Sequence, residues 1–248
     1  IQRELFGLVK VDVITSIAMF YDLEDPIEFA KNITKSLKRE GVWYFEQSYL
    51  PCMLRTTSYD TICHEHIEFY SLTAVQYILK QAGMKVIDVS VNSVIGGSFA
   101  VTAAKEEANY KRSPVCDWML EQEATNGILE VGVYREFESR SYKHGRELKS
   151  LLSVLNKAGK KIYGYGASTK GNVLLQFADI DSSLIEAIGD INPYKHGRYN
   201  PGTRIKIVSE EEMHNEKPDY LLVLPWHFRD HILKKEEAYL KNGGKLIF

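Results

Sequence analysis

Lys161-Ile162-Tyr163-Gly164-Tyr165-Gly166-Ala167-Ser168-Thr169-Lys170-Gly171-Asn172 reads as a short apolar strand that runs into glycines and a Ser/Thr pair, followed by the helical Val173-Leu174-Leu175-Gln176. A junction of this kind aims backbone amides and a helix amino terminus at whatever sits over the turn, which suits a phosphate. The spacing is Gly-x-Gly with a later glycine, not the usual dinucleotide fingerprint, and such a turn also serves close packing alone. Lys170 adds a full positive charge for a diphosphate. Downstream, apolar β-type runs at 184–188, 220–224 and 245–248 alternate with helical stretches, so the pattern predicts a small parallel sheet. Its carboxyl ends carry Asp190-Ile191-Asn192-Pro193 and Pro225-Trp226-His227-Phe228-Arg229. That puts Asn192, Trp226, His227 and Arg229 on one rim with Ser168, Lys170 and Asn172.

Working back from this sheet, residues 133–157 and 117–128 have charge-rich helical spacing, with Leu148, Leu151, Leu152 and Leu155 as an apolar seam. They read as a connector between domains. Further upstream, Val11-Asp12-Val13-Ile14-Thr15-Ser16-Ile17-Ala18-Met19 predicts a buried parallel strand. Phe20-Tyr21-Asp22-Leu23 marks its carboxyl end, where open α/β sheets bind ligands, so Tyr21 and Asp22 are candidates for a cleft wall. Asp25-Pro26 opens a helix expected to run to about Lys38 and to stop at Gly41. A strand at 42–47, a loop around Pro51 and a Ser71-capped helix at 74–82 follow. Strands at 85–91 and 98–104 flank Gly96-Gly97 and form an antiparallel pair. The expected fold is α/β: two Rossmann-like parallel-sheet domains joined by long helices, the first incomplete with an antiparallel strand pair at its end.

Composition narrows the function classes. Of 248 residues, 44% are hydrophobic and 26% charged, which is an ordinary folded chain large enough for two cores. The net charge of −2 and the lack of long Lys/Arg runs argue against nucleic acid as the main partner. No apolar run is long enough to span a bilayer, so no membrane partner is expected. Cys52, Cys63 and Cys116 are odd in number and lack zinc-like pairing, which predicts a reducing cytoplasm and no metal site in this stretch. Ile1-Gln2-Arg3-Glu4-Leu5 opens the chain without an initiator methionine, which predicts a processed or truncated piece.

The chemistry concentrates in Tyr59-Asp60-Thr61-Ile62-Cys63-His64-Glu65-His66-Ile67-Glu68-Phe69-Tyr70-Ser71-Leu72. This span follows neither helical nor strand periodicity, so packing alone is a strained explanation. On an extended backbone His64 and His66 share a face and Glu65 takes the other. An imidazole titrates near pH ~6.5 and can exchange a proton at neutral pH. The plainer reading is a surface loop whose histidines only hydrogen-bond locally.

The Ser58-Tyr59-Asp60 to Glu65-His66 stretch, the Gly96-Gly97-Ser98 turn and the Gly164-to-Asn172 turn together resemble the sugar C-methyltransferases, which use S-adenosylmethionine on nucleotide-linked keto-sugars. The resemblance covers nearly the whole chain. It implies a three-part protein: an amino-terminal zinc module, a methyl-transfer domain and a carboxyl-terminal domain that helps hold the sugar nucleotide. In those terms, residues 1–113 correspond to the carboxyl-terminal part of a class I methyltransferase domain, 114–158 to a helical connector and 159–248 to the sugar-nucleotide-binding domain. The donor's glycine loop and any zinc would lie in parts that this sequence does not contain. Some relatives carry tyrosine where Cys63 stands. The implied roles are His66 as the base that removes a proton α to a ketone, and Glu65 to orient it or touch the sugar. Tyr59, His64 or Tyr70 would hydrogen-bond the oxygen that gains charge. Gly96, Gly97 and Ser98 would contact substrate, and Tyr21 and Asp22 the methyl donor. Ser168 and Lys170 would hold the diphosphate, with Asn172, Asn192, Trp226, His227 and Arg229 around the nucleotide.

Three other readings stay open on the residues. Cys63, His64 and His66 include metal donors, although adjacent ligands crowd a tetrahedral ion. The Gly164 turn with Asp190 is a possible NAD site. A non-catalytic sugar-nucleotide-binding or scaffold protein would share the same rim without a methyl-donor site.

Overall fold

The computed structural model describes residues 10–248, and within them the chain forms two compact units. The first comprises the described residues through Ser58 together with His64–Phe137, and the second comprises Tyr59–Cys63 with Glu138–Phe248.

The first unit is built on β1 (Val11–Ile17), β2 (Leu37–Ser48), β3 (Met84–Asn92) and β4 (Ser98–Lys105), in the order β1-β2-β4-β3. β1 and β2 are parallel, while β4 runs antiparallel to both β2 and β3. The expected antiparallel pair is therefore present, with its second strand inserted into the sheet. Helix α1 (Pro26–Ser36) starts on an Asp25 carboxylate that accepts the Glu28 amide at 2.9 Å. It ends at Ser36, short of the expected stop at Gly41, because Leu37 is already extended (φ −79°, ψ 145°). Gly41 lies inside β2, where an added Cβ would stand 2.9 Å from the Val11 carbonyl, so the glycine serves strand contact rather than helix termination. The expected loop around Pro51 is a helix, α2 (Leu50–Thr56), with proline in its tolerated first turn. Helices α3 (Leu72–Gln81) and α4 (Pro114–Thr125) pack on the sheet. The core gathers Phe20, Trp43, Phe45, Tyr70, Leu72 and Phe99 with Cys116 and Met119 of α4.

Helix α5 (Val131–Lys157) leads into the second unit, to whose core it gives Leu148 and Leu152. The sheet there has β5 (Ile162–Tyr165), β6 (Ala187–Asp190), β7 (Lys206–Ser209), β8 (Tyr220–Val223) and β9 (Lys245–Ile247), in the order β7-β6-β5-β8-β9 and parallel throughout. Helices α6 (Thr169–Phe177), α7 (Glu210–Asn215), α8 (Arg229–Lys235) and α9 (Glu237–Lys241) accompany it. Alternation along the strands loads both faces: Ile162, Ile188 and Leu222 pack with α5 and α6, while Tyr163, Tyr165, Leu221 and Val223 pack with Met213 and Ile232. β6 begins three residues later than the sequence pattern suggests, and β7 is an additional edge strand.

Candidate active site

In the first unit the carboxyl end of β1 turns through a single 3-10 segment, Phe20–Asp22. Phe20 is buried against Trp43, Phe45 and Tyr70 at ring distances of 5.3, 5.4 and 5.2 Å, which fixes the turn. Next to it, the Tyr21 ring lies 4.4 Å from His66, and its carbonyl accepts the amides of Ile67 and Glu68 at 3.2 and 3.1 Å. The segment carrying His66 is thereby laid on β1's end, and the imidazole is half-buried. Loss of water raises the Asp22 carboxyl, nearby His66 opposes that rise, and Glu65 adds to it. His64 and Glu65 instead face solvent, with His64 Nε2 3.7 Å from Glu65 Oε1. Of the two histidines, His66 is the one against a wall.

Tyr70 stacks on Phe20 and is buried, with a hydroxyl that has no hydrogen-bond partner among the described residues. Burial holds this phenol well above its ordinary range, so it remains a proton donor. In the Gly96-Gly97-Ser98 turn the Gly97 carbonyl accepts the Tyr49 amide at 3.1 Å, and Ser98 Oγ donates to the Val94 carbonyl at 2.8 Å.

The start of the histidine stretch lies in the second unit. The 3-10 turn Tyr59–Thr61 is buried there. Tyr59 packs on Phe177 at 4.6 Å, its hydroxyl meets His144 Nδ1 at 3.0 Å, and burial pushes its phenol up to about 12. Asp60 accepts the Trp226 indole N–H at 2.8 Å. Burial raises the Asp60 carboxyl and lowers the Lys170 ammonium, so for both groups desolvation outweighs their mutual attraction. His227 is pushed down to about 4 by burial and by the Lys170 charge, so its imidazole is neutral at physiological pH; its Nδ1 is buried with no partner. Arg229 lies over the Phe248 ring at 5.3 Å.

The glycine turn itself differs from a free phosphate cradle. Asp190 Oδ2 accepts the Ala167 amide at 2.7 Å, the Gly189 carbonyl accepts the Gly166 amide at 2.7 Å, and Ser168 Oγ caps the Gly171 amide at 3.0 Å. Lys195 Nζ then bridges Asp190 Oδ2 and the Ala167 carbonyl at 3.1 and 2.7 Å. The turn's amides are thus largely spent internally, and a carboxylate stands where a phosphate oxygen would be repelled. Asp190 is also committed to the Asn192 amide at 2.8 Å, which removes it as the ribose partner an NAD site would need. Asn192 caps the Tyr194 amide, and Asn172 accepts from Asn200. A cleft of about 420 Å³ borders this turn, lined by Ser168, Asp190, Asn192, Lys195 and Phe228 among others. Of the second-unit site candidates, Trp226 and Lys170 act on Asp60 and His227 feels the Lys170 charge, whereas Ser168 and Asn192 belong to the cleft.

Sequence reasoning gave no role to Asp60, Lys195 or Glu123, and read Asp190 only as a possible ribose partner. Glu123 had a readable signal, since it falls on the same face of α4 as buried Cys116 and Met119. Among the described residues, no group of three or more His, Cys, Asp or Glu side chains is placed to hold a metal ion.

Residues 93–248 match the model for the "C-methyltransferase C-terminal domain", which spans more than half of the chain. This chain belongs to the C-methyltransferase family. Residues 2–89 match a methyltransferase domain model as well. C-methyltransferase NovU of Streptomyces niveus is 34% identical over 92% of this chain and 54% of its own length. The chain therefore spans about half the length of this curated relative. Among solved structures, an S-adenosylmethionine-dependent methyltransferase from Clostridium acetobutylicum is 14% identical over 40% of this chain and 59% of its own, with a TM-score of 0.33. A methyltransferase of Haloferax volcanii solved with its Trm112 activator is 16% identical over 41% and 57%, with a TM-score of 0.35. Likenesses that low do not bear on function. The C-methyltransferase resemblance carried by the histidine stretch and the two glycine turns is borne out at the level of the family.

Proposed function

We propose that this C-methyltransferase moves a methyl group from S-adenosylmethionine to the α-carbon of a nucleotide-linked keto-sugar, by way of an enolate that His66 generates. The observation that carries the reading is the seat of His66 on Tyr21 beside the Asp22 carboxyl, at the carboxyl end of a parallel strand. A half-buried imidazole next to an acid can accept a proton from carbon and pass it on to solvent. As the C–H bond breaks, its electron pair moves into the enolate. The ketone oxygen then gains charge, which a hydrogen-bond donor beside it would stabilise. The bound donor would supply an electrophilic methyl on a sulfonium. On the donor side the described residues offer Tyr21, whose ring and carbonyl are already engaged, and the exposed Asp22 carboxylate; the pair fits a contact to a cation or a ribose hydroxyl, not a complete donor site. Lys170, Trp226 and His227 would take the sugar nucleotide, Lys170 meeting a phosphate.

Among the described residues no helix is long and apolar enough to cross a membrane, and all three cysteines are free thiols, as a reducing compartment would keep them.

The test is solvent exchange in the complete enzyme, supplied with a panel of nucleoside-diphosphate keto-hexoses and no methyl donor. Wild type should wash deuterium from heavy water into the α-carbon. His66→Asn should slow both exchange and methyl transfer by about a hundredfold or more, with the melting temperature kept. Persistence of both rates in the variant would remove His66 from the role.

A further inference from the structure

Asp60 has no part in that chemistry, yet its surroundings are specific. It is 3% exposed, and besides the Trp226 indole its carboxylate is bonded by the backbone amides of residues 60 and 61. Lys170 is the cation whose charge acts on it. Pinning a turn with a buried carboxylate is costly, because the acid gives up water that these contacts only partly replace. A second anchor is already present in Tyr59, held between Phe177 and His144. The acid therefore needs a reason beyond packing, and its partners supply one. Trp226 opens the 3-10 segment that follows β8, and Lys170 stands in the first turn of α6. His227, beside Trp226, keeps a buried Nδ1 without a partner.

We propose that Asp60 is a positioning residue, which joins Trp226 and Lys170 to the 59–63 turn and so ties occupancy of their rim to the placement of the chain that leads into His64-Glu65-His66. Asp60 stands six residues before His66 in the chain, so the turn that it pins is the lead-in to the histidine segment. The identity of the rim's ligand rests on the sugar-nucleotide reading, while the clamp itself does not.

Hydrogen–deuterium exchange in the complete protein tests the clamp without substrate, on peptides covering residues 57–70. Asp60→Ala should speed exchange there about tenfold, the scale of losing one hydrogen bond to a charged group. Asp60→Asn keeps an oxygen for the indole and should recover much of the protection, whereas Trp226→Phe with Asp60 intact should match Asp60→Ala. During turnover of a nucleoside-diphosphate keto-hexose, Asp60→Ala should lower kcat by about tenfold or more and raise KM by a smaller factor, since misplacement costs rate as well as the hold on the nucleotide. Unchanged exchange at 57–70 in Asp60→Ala overturns the proposal. So does a uniform rise across the whole chain with a lower melting temperature, which is the mark of a purely structural acid. Absence of turnover in wild type would count against the proposed substrate, and the exchange result would still decide the clamp.

Discussion

Glu123 shows how much one residue can carry. It is 1% exposed and accepts from Tyr49 Oη at 2.8 Å, from the Leu72 and Thr73 amides at 2.6 and 2.8 Å and from Thr73 Oγ1 at 2.6 Å. Its charge sits at the amino terminus of α3, where the helix dipole favours an anion. Glu123→Ala would orphan a buried amide, a half-buried one and a phenol, and is expected to cost about 3–5 kcal/mol in urea unfolding. Glu123→Gln keeps one acceptor oxygen and should lose roughly half of that. His227 gives a prediction in pH. Its folded value, about 4, lies below the ordinary histidine value of 6.5, so between those limits the unfolded chain binds a proton that the folded chain refuses. Stability attributable to His227 is therefore full above pH 6.5 and falls as the pH drops toward 4. Urea unfolding at both ends of that window should show a smaller loss for His227→Gln than for wild type.

At the scale of elements, the β3–β4 hairpin depends on Gly97. Its φ is +126°, and an added Cβ would stand 2.6 Å from Cys52 Cβ. Gly97→Ala should cost about 1–3 kcal/mol in thermal unfolding. Cys52→Ala in the same background should restore little, because the clash is with a Cβ that alanine retains. The hairpin and the strand-to-glycine junction at 162–166 were legible because short, β-prone apolar runs broken by glycine have few other solutions. Helix α2 was hidden because its seven residues include Pro51, which reads as a breaker unless it is known to occupy a first turn. The edge strand β7 was hidden because Lys206-Ile207-Val208-Ser209 has only two apolar residues between polar ones, whereas the equally short β5 and β8 are nearly continuous apolar runs.

For the whole molecule, the net charge of −2 gives no long-range pull on an anionic ligand, so attraction for a diphosphate has to come from a local cation. Lys170 is that cation in the proposed site, and Lys170→Ala should weaken binding of uridine or thymidine diphosphate more at low salt than at high salt in calorimetry. An equal loss at both ionic strengths would mean that Lys170 only packs. The sequence by itself determined the α/β class, the parallel second sheet, the antiparallel pair and the C-methyltransferase family, since each is written in local periodicity or in short motifs. Only the tertiary structure decided which polar groups are available to a ligand. A carboxylate 23 residues away consumes the Ala167 amide, and an indole 166 residues away claims Asp60. It also separated His66, seated on Tyr21, from His64 in solvent. Hydrogen bonds between residues so far apart in sequence leave no periodic trace, because their partners are brought together by the packing of whole sheets and helices rather than by anything within a window of the chain.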